Sequence, residues 1–138
     1  MFFFFNNREG VKDFVEDLNK ASIPILIISA GLGNIIIEVL NKHGLMKNNL
    51  KVIANHVKYY QINDGITDAI ANRQFVHPYN KDNISSRLSD SYFKNLSHCK
   101  NIILLGDSLG DLHMSCGAAA NTVLTIGFLN EKVHYNVL

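Results

Sequence analysis

Apolar residues in this chain recur with two spacings, and the alternation between them lays out its elements. Between residues 9 and 20, Val11, Phe14, Val15 and Leu18 fall at i, i+3, i+4 and i+7, with Lys12, Asp13, Glu16, Asp17 and Lys20 on the other side. That spacing predicts an amphipathic helix covering something apolar. Pro24 blocks its continuation, and Ile23–Ile28 is an unbroken run rich in β-branched residues, the pattern of a strand buried on both faces. The run ends at Ser29-Ala30-Gly31-Leu32-Gly33-Asn34, read as a strand-to-helix turn. Beyond it Ile35–Leu40 is apolar nearly all round, which predicts a buried helix closed by His43-Gly44. Lys51–Asn55 is a second short strand. From Val57 to Val76 the pattern loosens, and Asn63-Asp64-Gly65 between Tyr59/Tyr60 and Ile66 predicts a surface hairpin or excursion.

Val76-His77-Pro78-Tyr79-Asn80-Lys81 is turn-prone and carries one lysine. Ser85–Leu96 predicts one helix or two short ones, with Leu88, Tyr92, Phe93 and Leu96 facing inward. Ile102–Leu112 then reads as strand, tight acidic turn and helix start: an apolar run stops at Gly106-Asp107, Gly110-Asp111 follows, and apolar residues return at Leu112 and Met114. The helix is expected to end near Gly117. Val123–Ile126 is a further strand, and residues 130–138 are expected to begin a helix. Strands near 23–28, 51–55, 102–106 and 122–126, separated by helices, specify a parallel α/β sheet. Ligands gather at the carboxyl ends of such strands, where Ser29 and Asp107 both fall.

Composition narrows the function classes. The 138 residues, 47% hydrophobic, amount to one domain with ordinary burial capacity. Thirteen basic and twelve acidic residues are well mixed and give a net charge of +1, so there is no basic face for nucleic acid and no polybasic patch for a membrane. Cys99 and Cys116 are not in a Cys-x-x-Cys arrangement and have no zinc-like ligand cluster around them, which fits a reducing, cytoplasmic setting. Met1–Phe5 is too short for a signal-peptide core, and no segment approaches membrane-spanning length.

The candidate chemistry begins at Asp107 and Asp111. Two carboxylates four residues apart at a strand end repel one another unless a cation or a proton lies between them. Oxygen-only ligands of this kind suit Mg²⁺, which binds through one or two carboxylates plus phosphate oxygens. The alternative is that Asp107 caps a helix and Asp111 is a first-turn acid favoured by the helix dipole. Ser29–Asn34 is open in the same way: a hydroxyl and amide groups at a helix start can hold phosphate oxygens, or the stretch is a tight turn that needs small residues. It is not a dinucleotide fingerprint, because Ile36 stands where the third glycine belongs. Lys81, taken by itself, reads as a solvated surface lysine. The six histidines show no i, i+4 pairing, and Leu109 occupies a ligand position of any EF-hand loop, so neither a zinc-protease site nor a calcium loop is specified. Gly106-Asp107-Ser108-Leu109 spells the signature of GDSL esterases, which would make Ser108 a nucleophile. That signature lies near the start of those domains with an Asp-x-x-His block far downstream, whereas here the nearest counterpart is Glu131-Lys132-Val133-His134.

Three stretches in order, Ile-Pro-Ile-Leu-Ile-Ile-Ser-Ala-Gly at 23–31, His-Pro-Tyr-Asn-Lys at 77–81 and Ile-Ile-Leu-Leu-Gly-Asp-Ser-Leu-Gly-Asp-Leu at 102–112, resemble the haloacid dehalogenase superfamily. More narrowly they resemble its cytosolic pyrimidine (type III) 5′-nucleotidases, over nearly the whole chain from about Arg8 to Asn130. The resemblance implies a Rossmann-like parallel sheet flanked by helices. It also implies a Mg²⁺-dependent phosphomonoesterase acting on nucleoside 5′-monophosphates, of pyrimidine or 7-methylguanosine type. By motif, Ser29, Ala30 and Gly31 would bind phosphoryl oxygens and Lys81 would neutralise charge on the phosphoryl group and the nucleophile. Asp107 would ligate Mg²⁺, and Asp111 would support the metal site. The family's first motif, Asp-x-Asp-x-Thr, which supplies nucleophile and general acid, has no counterpart in this sequence, and neither does the helical cap that follows it. The resemblance therefore implies an incomplete core, its middle strand absent between the strands at 23–28 and 102–106. A catalytically silent module with residual Mg²⁺ or phosphate affinity is the non-enzymatic alternative.

Overall fold

The computed structural model describes residues 9–62, 66–71, 76–77, 95–115, 118 and 120–128. The chain divides into two compact units, Met1–His77 and Pro78–Leu138. The first holds α1 (Val11–Lys20), β1 (Ile25–Leu32), α2 (Gly33–Lys42), β2 (Leu50–Asn55), β3 (Val57–Ile62) and β4 (Ile66–Ala71). The second holds β5 (Asn101–Gly106), a 3₁₀ helix (Leu109–Ser115) and β6 (Thr122–Gly127). Among the described residues the ladders form three two-stranded sheets: β1 with β2 and β5 with β6, both parallel, and the antiparallel hairpin β3–β4. This is an α/β architecture whose described parallel strands pair two by two.

α1 and α2 end in the same way. After α2 the Gly44 N–H donates to the Asn41 carbonyl and the Leu45 N–H to the Leu40 carbonyl, with Gly44 left-handed at φ 66°. This is a Schellman closure, and it buries Leu45, which is 2% exposed. After α1 the Ser22 and Ile23 N–H groups reach Asn19 and Leu18 in the same pattern, but the left-handed residue is Ser22, at φ 55°. A side chain there costs about 1–2 kcal/mol, and glycine gives back about half of that in unfolded-state entropy. Ser22→Gly is therefore expected to stabilise the chain by about 0.5–1 kcal/mol in urea denaturation. Leu45→Ala should cost about 2–5 kcal/mol in the same measurement, because its site is closed on all sides. By contrast, the Lys20–Asp17 pair contributes little. Its hydrogen bond and charge raise the Lys20 pKa, but the side chains are 73% and 74% exposed.

Four expectations change in the structure. β1 starts at Ile25, with Ile23 and Pro24 outside it, and runs on through Ser29 to Leu32, so the first four residues of the expected Ser29–Asn34 turn are extended chain. Ile25–Ala30 are half-buried rather than covered on both faces, and Gly31 and Leu32 are exposed. α2 starts at Gly33, and only Gly33 is fully buried; Ile35 is 50% exposed, because the helix packs one stripe against β1 and β2. After Asp107 the chain forms a tight 3₁₀ helix over Leu109–Ser115 in place of the first turns of a regular helix, with the Asp111 N–H donating to the Ser108 carbonyl in the shorter i to i+3 step, and the expected helix end near Gly117 lies outside the described residues. The hairpin strands β3 and β4 pair as anticipated on either side of residues 63–65. The predicted helices at Ser85–Leu96 and 130–138 lie outside the described residues, apart from residues 95 and 96.

Candidate active site

The described candidate residues lie on two strands, one in each unit: inside the second half of β1 and directly after β5. On β1 the ladder to β2 pairs Ile28 with Ile53 and then Leu32 with Asn55, so four steps on β1 match two on β2. The surplus residues make Ser29–Gly31 a bulge, a device that re-aims backbone groups beside active sites. A bulge leaves carbonyls without ladder partners, and each needs one if it is to be buried. Asn55, 8% exposed, supplies it: its Nδ2 donates to the Ala30 carbonyl at 2.8 Å. The Gly31 N–H donates to Ser29 Oγ at 3.1 Å. With Oγ accepting that bond, the hydroxyl proton points elsewhere and can be given to an anion. Ser29 and Ala30 are half-buried and Gly31 is exposed.

On β5 the strand ends at Gly106, and its carbonyl accepts from the Phe128 N–H at 2.7 Å. The next two residues turn around one carboxylate. Asp111, 5% exposed, accepts the N–H groups of Asp107 and Ser108 on Oδ2, each at 3.1 Å. Its side chain lies so close over Gly106 that a Cβ there would stand 2.5 Å from Asp111 Cβ and 2.8 Å from Oδ2. Only glycine fits. Gly106→Ala is expected to push Asp111 off the turn and to cost about 1–3 kcal/mol, read by chemical denaturation. The Asp107 side chain is exposed, and the turn borders a concavity of about 330 Å³ with Asp107, Ser108 and Asp111 on its polar side and Leu104, Ile126 and Phe128 on its apolar side.

The two carboxylates thus differ in what they do within the turn. Asp111 Oδ2 is engaged by the backbone amides of Asp107 and Ser108, the reverse of a cap supplied by Asp107, while Asp107 borders the concavity. No group of three or more His, Cys, Asp or Glu side chains is gathered among the described residues, which leaves no protein-only cage for a metal. Mg²⁺ needs none: one or two carboxylates with substrate oxygens and water complete its shell, and the Asp107 turn fits that mode. Ser108, the esterase candidate, is exposed and gives its N–H to Asp111. Lys81 lies outside the described residues.

Three asparagines that the sequence pattern did not single out hold the first unit together. Asn34 pairs with both backbone groups of Val57, at 3.0 Å from the N–H and 3.3 Å to the carbonyl. Asn49 donates to the Ile23 carbonyl at 2.6 Å. Asn55 pairs with both backbone groups of Val76, at 2.6 and 3.0 Å, besides its bond to Ala30. The visible signal is a polar residue bordering an apolar run; the partners lie 21 to 26 residues away and are not legible in spacing.

Comparison with known proteins places this geometry in a family. The profile of the pyrimidine 5′-nucleotidases (UMPH-1) matches residues 4–137, and the chain belongs to that family. The 7-methylguanosine phosphate-specific 5′-nucleotidase of Mus musculus is 40% identical over 127 residues, which cover 91% of this chain and 41% of the relative. That of Drosophila melanogaster is 33% identical over 131 residues, covering 94% of this chain and 40% of the relative. A crystal structure of cytosolic 5′-nucleotidase IIIB bound to cytidine superposes with a TM-score of 0.74 at 33% identity, covering 88% of this chain and 40% of the other. The chain therefore spans about two fifths of the length of these relatives.

Proposed function

We propose that these residues form the phosphoryl-binding and cation-binding part of a Mg²⁺-dependent 5′-nucleotidase, built on a haloacid dehalogenase-like core and working in the cytoplasm. The observation that carries this reading is the turn after β5: Asp111 ties down the Asp107 and Ser108 amides, which leaves the Asp107 carboxylate at the edge of a concavity in a chain of this family. Asp107 would hold the cation, which supplies charge neutralisation on the phosphoryl oxygens. Asp111 keeps the turn closed. On β1 the Ser29 hydroxyl and the Ala30 amide would donate to the non-bridging oxygens, and Lys81 would offset the negative charge that builds up as the phosphorus is attacked.

In the proposed reaction the attacking carboxylate comes from an Asp-x-Asp-x-Thr motif outside these residues. The bond from phosphorus to the nucleoside oxygen breaks as the new one forms, and the leaving oxygen takes a proton from the second aspartate of that motif. Water then cleaves the acyl phosphate. Substrates are nucleoside 5′-monophosphates of 7-methylguanosine or pyrimidine type, the first supported by the names of the relatives and the second by the family and by the cytidine-bound neighbour. The test is phosphate release from 7-methylguanosine, cytidine and uridine 5′-monophosphates by a chain in which these residues follow a segment carrying Asp-x-Asp-x-Thr. Release from at least one is expected. A folded chain that releases phosphate from none contradicts the reading and favours a silent module.

A further inference from the structure

Asn55 is the most heavily engaged buried polar side chain described in the first unit, and nothing in the mechanism above uses it. It is 8% exposed and lies at the carboxyl end of β2, where it makes three bonds to two separate stretches of backbone. Nδ2 donates to the Ala30 carbonyl at 2.8 Å and to the Val76 carbonyl at 3.0 Å, while Oδ1 accepts the Val76 N–H at 2.6 Å. The first bond fixes one face of the Ala30–Gly31 peptide, whose other end is held by the Gly31 N–H on Ser29 Oγ at 3.1 Å. A peptide plane held at both ends cannot flip, so the direction of the neighbouring hydroxyl and amide donors is set before any anion arrives. The second and third bonds anchor the Val76 backbone to the same side chain.

We propose that Asn55 is a positioning residue for phosphoryl binding: it locks the Ser29–Gly31 bulge and ties the backbone of Val76 to it. The inference rests on the functional reading above, since it needs Ser29–Gly31 to bind phosphoryl oxygens. It assigns the asparagine chemistry a specific task. An amide is the one side chain that can donate twice to carbonyls and accept an N–H from the same place. Asn55→Asp has the same shape and keeps the acceptor for Val76, but turns an oxygen toward two carbonyls. Asn55→Ala removes all three bonds.

The test is titration of the ¹⁵N-labelled 138-residue chain with inorganic phosphate, read at the amides of residues 29–31, with hydrogen exchange measured on the same samples. In wild type, phosphate should shift the 29–31 amides and the Asn55 side-chain amide together. In Asn55→Asp the Val76 amide should stay protected while phosphate affinity falls about tenfold, the scale of one misdirected hydrogen bond to an anion. In Asn55→Ala both should be lost while the β1–β2 amides remain protected. Leu45→Ala is the control, destabilising the unit without touching the bulge, and should keep wild-type phosphate affinity. Equal loss in Leu45→Ala and the Asn55 variants overturns the inference, because it reports stability alone. So does unchanged affinity in both Asn55 variants. A wild-type chain in which phosphate moves no amide of 29–31 overturns the phosphoryl-site reading as well, so the two failures are distinguishable. Should neither variant fold, the wild-type titration decides: a stationary Asn55 side-chain amide while 29–31 shift counts against the inference.

Discussion

Lys81→Ala, in a nucleotidase carrying these residues behind the Asp-x-Asp-x-Thr segment, is expected to lower turnover by about 10²–10³-fold, the scale for one preorganised contact to transition-state charge. Folding should be nearly unchanged, so the thermal midpoint separates a chemical loss from a structural one. The reason is the charge that accumulates between an attacking carboxylate and a phosphoryl group. A fixed ammonium offsets that charge more in the transition state than in the ground state, so the loss should fall on kcat more than on KM. Turnover within about a factor of two of wild type would refute the role, since even modest charge stabilisation is worth more.

The second large effect separates the two aspartates after β5. Asp111 accepts two backbone N–H groups on one buried oxygen, a task that a correctly oriented asparagine oxygen also performs. Asp111→Asn should therefore keep most of the Mg²⁺ affinity. Asp111→Ala leaves both amides without that acceptor and should weaken Mg²⁺ binding about 10–100-fold, the usual range for losing a group that orients a ligand. Calorimetric titration of both variants checks this. Equal losses in Asn and Ala would mean that the Asp111 charge itself is required, and would move Asp111 from support to ligand.

Much of this was visible in the sequence because it depends on local chemistry. The i, i+3, i+4, i+7 set of α1, the β-branched run of β1 and the Asn63-Asp64-Gly65 signal of the β3–β4 hairpin all report periods and turns that single residues impose. What spacing could not report was reach. The Ser29–Gly31 segment looked like a turn because its residues are small, yet it stays extended as a bulge whose orphan carbonyl is taken by Asn55, 25 residues later. At Asp107 and Asp111 the spacing allowed either two ligands or a capped turn. Only the side-chain positions show one acid holding the turn, and no periodicity encodes that Gly106 is small because Asp111 lies over it. The exposed apolar residues of the second unit, Ile103 at 59% and Leu124 at 55%, show the opposite limit: strand pattern predicts a strand, not what covers it.

Whether the turn after β5 holds a divalent cation against a reacting phosphate is decided most directly by phosphate release, as a function of Mg²⁺, from whichever of the 7-methylguanosine, cytidine and uridine 5′-monophosphates the longer chain hydrolyses, in that chain and in its Asp107→Asn variant. Wild type should lose its activity in EDTA and recover it with added Mg²⁺, and the variant should need at least about tenfold more Mg²⁺ for half-maximal release. Equal release in EDTA and in Mg²⁺, or a variant with an unchanged Mg²⁺ requirement, would contradict the site.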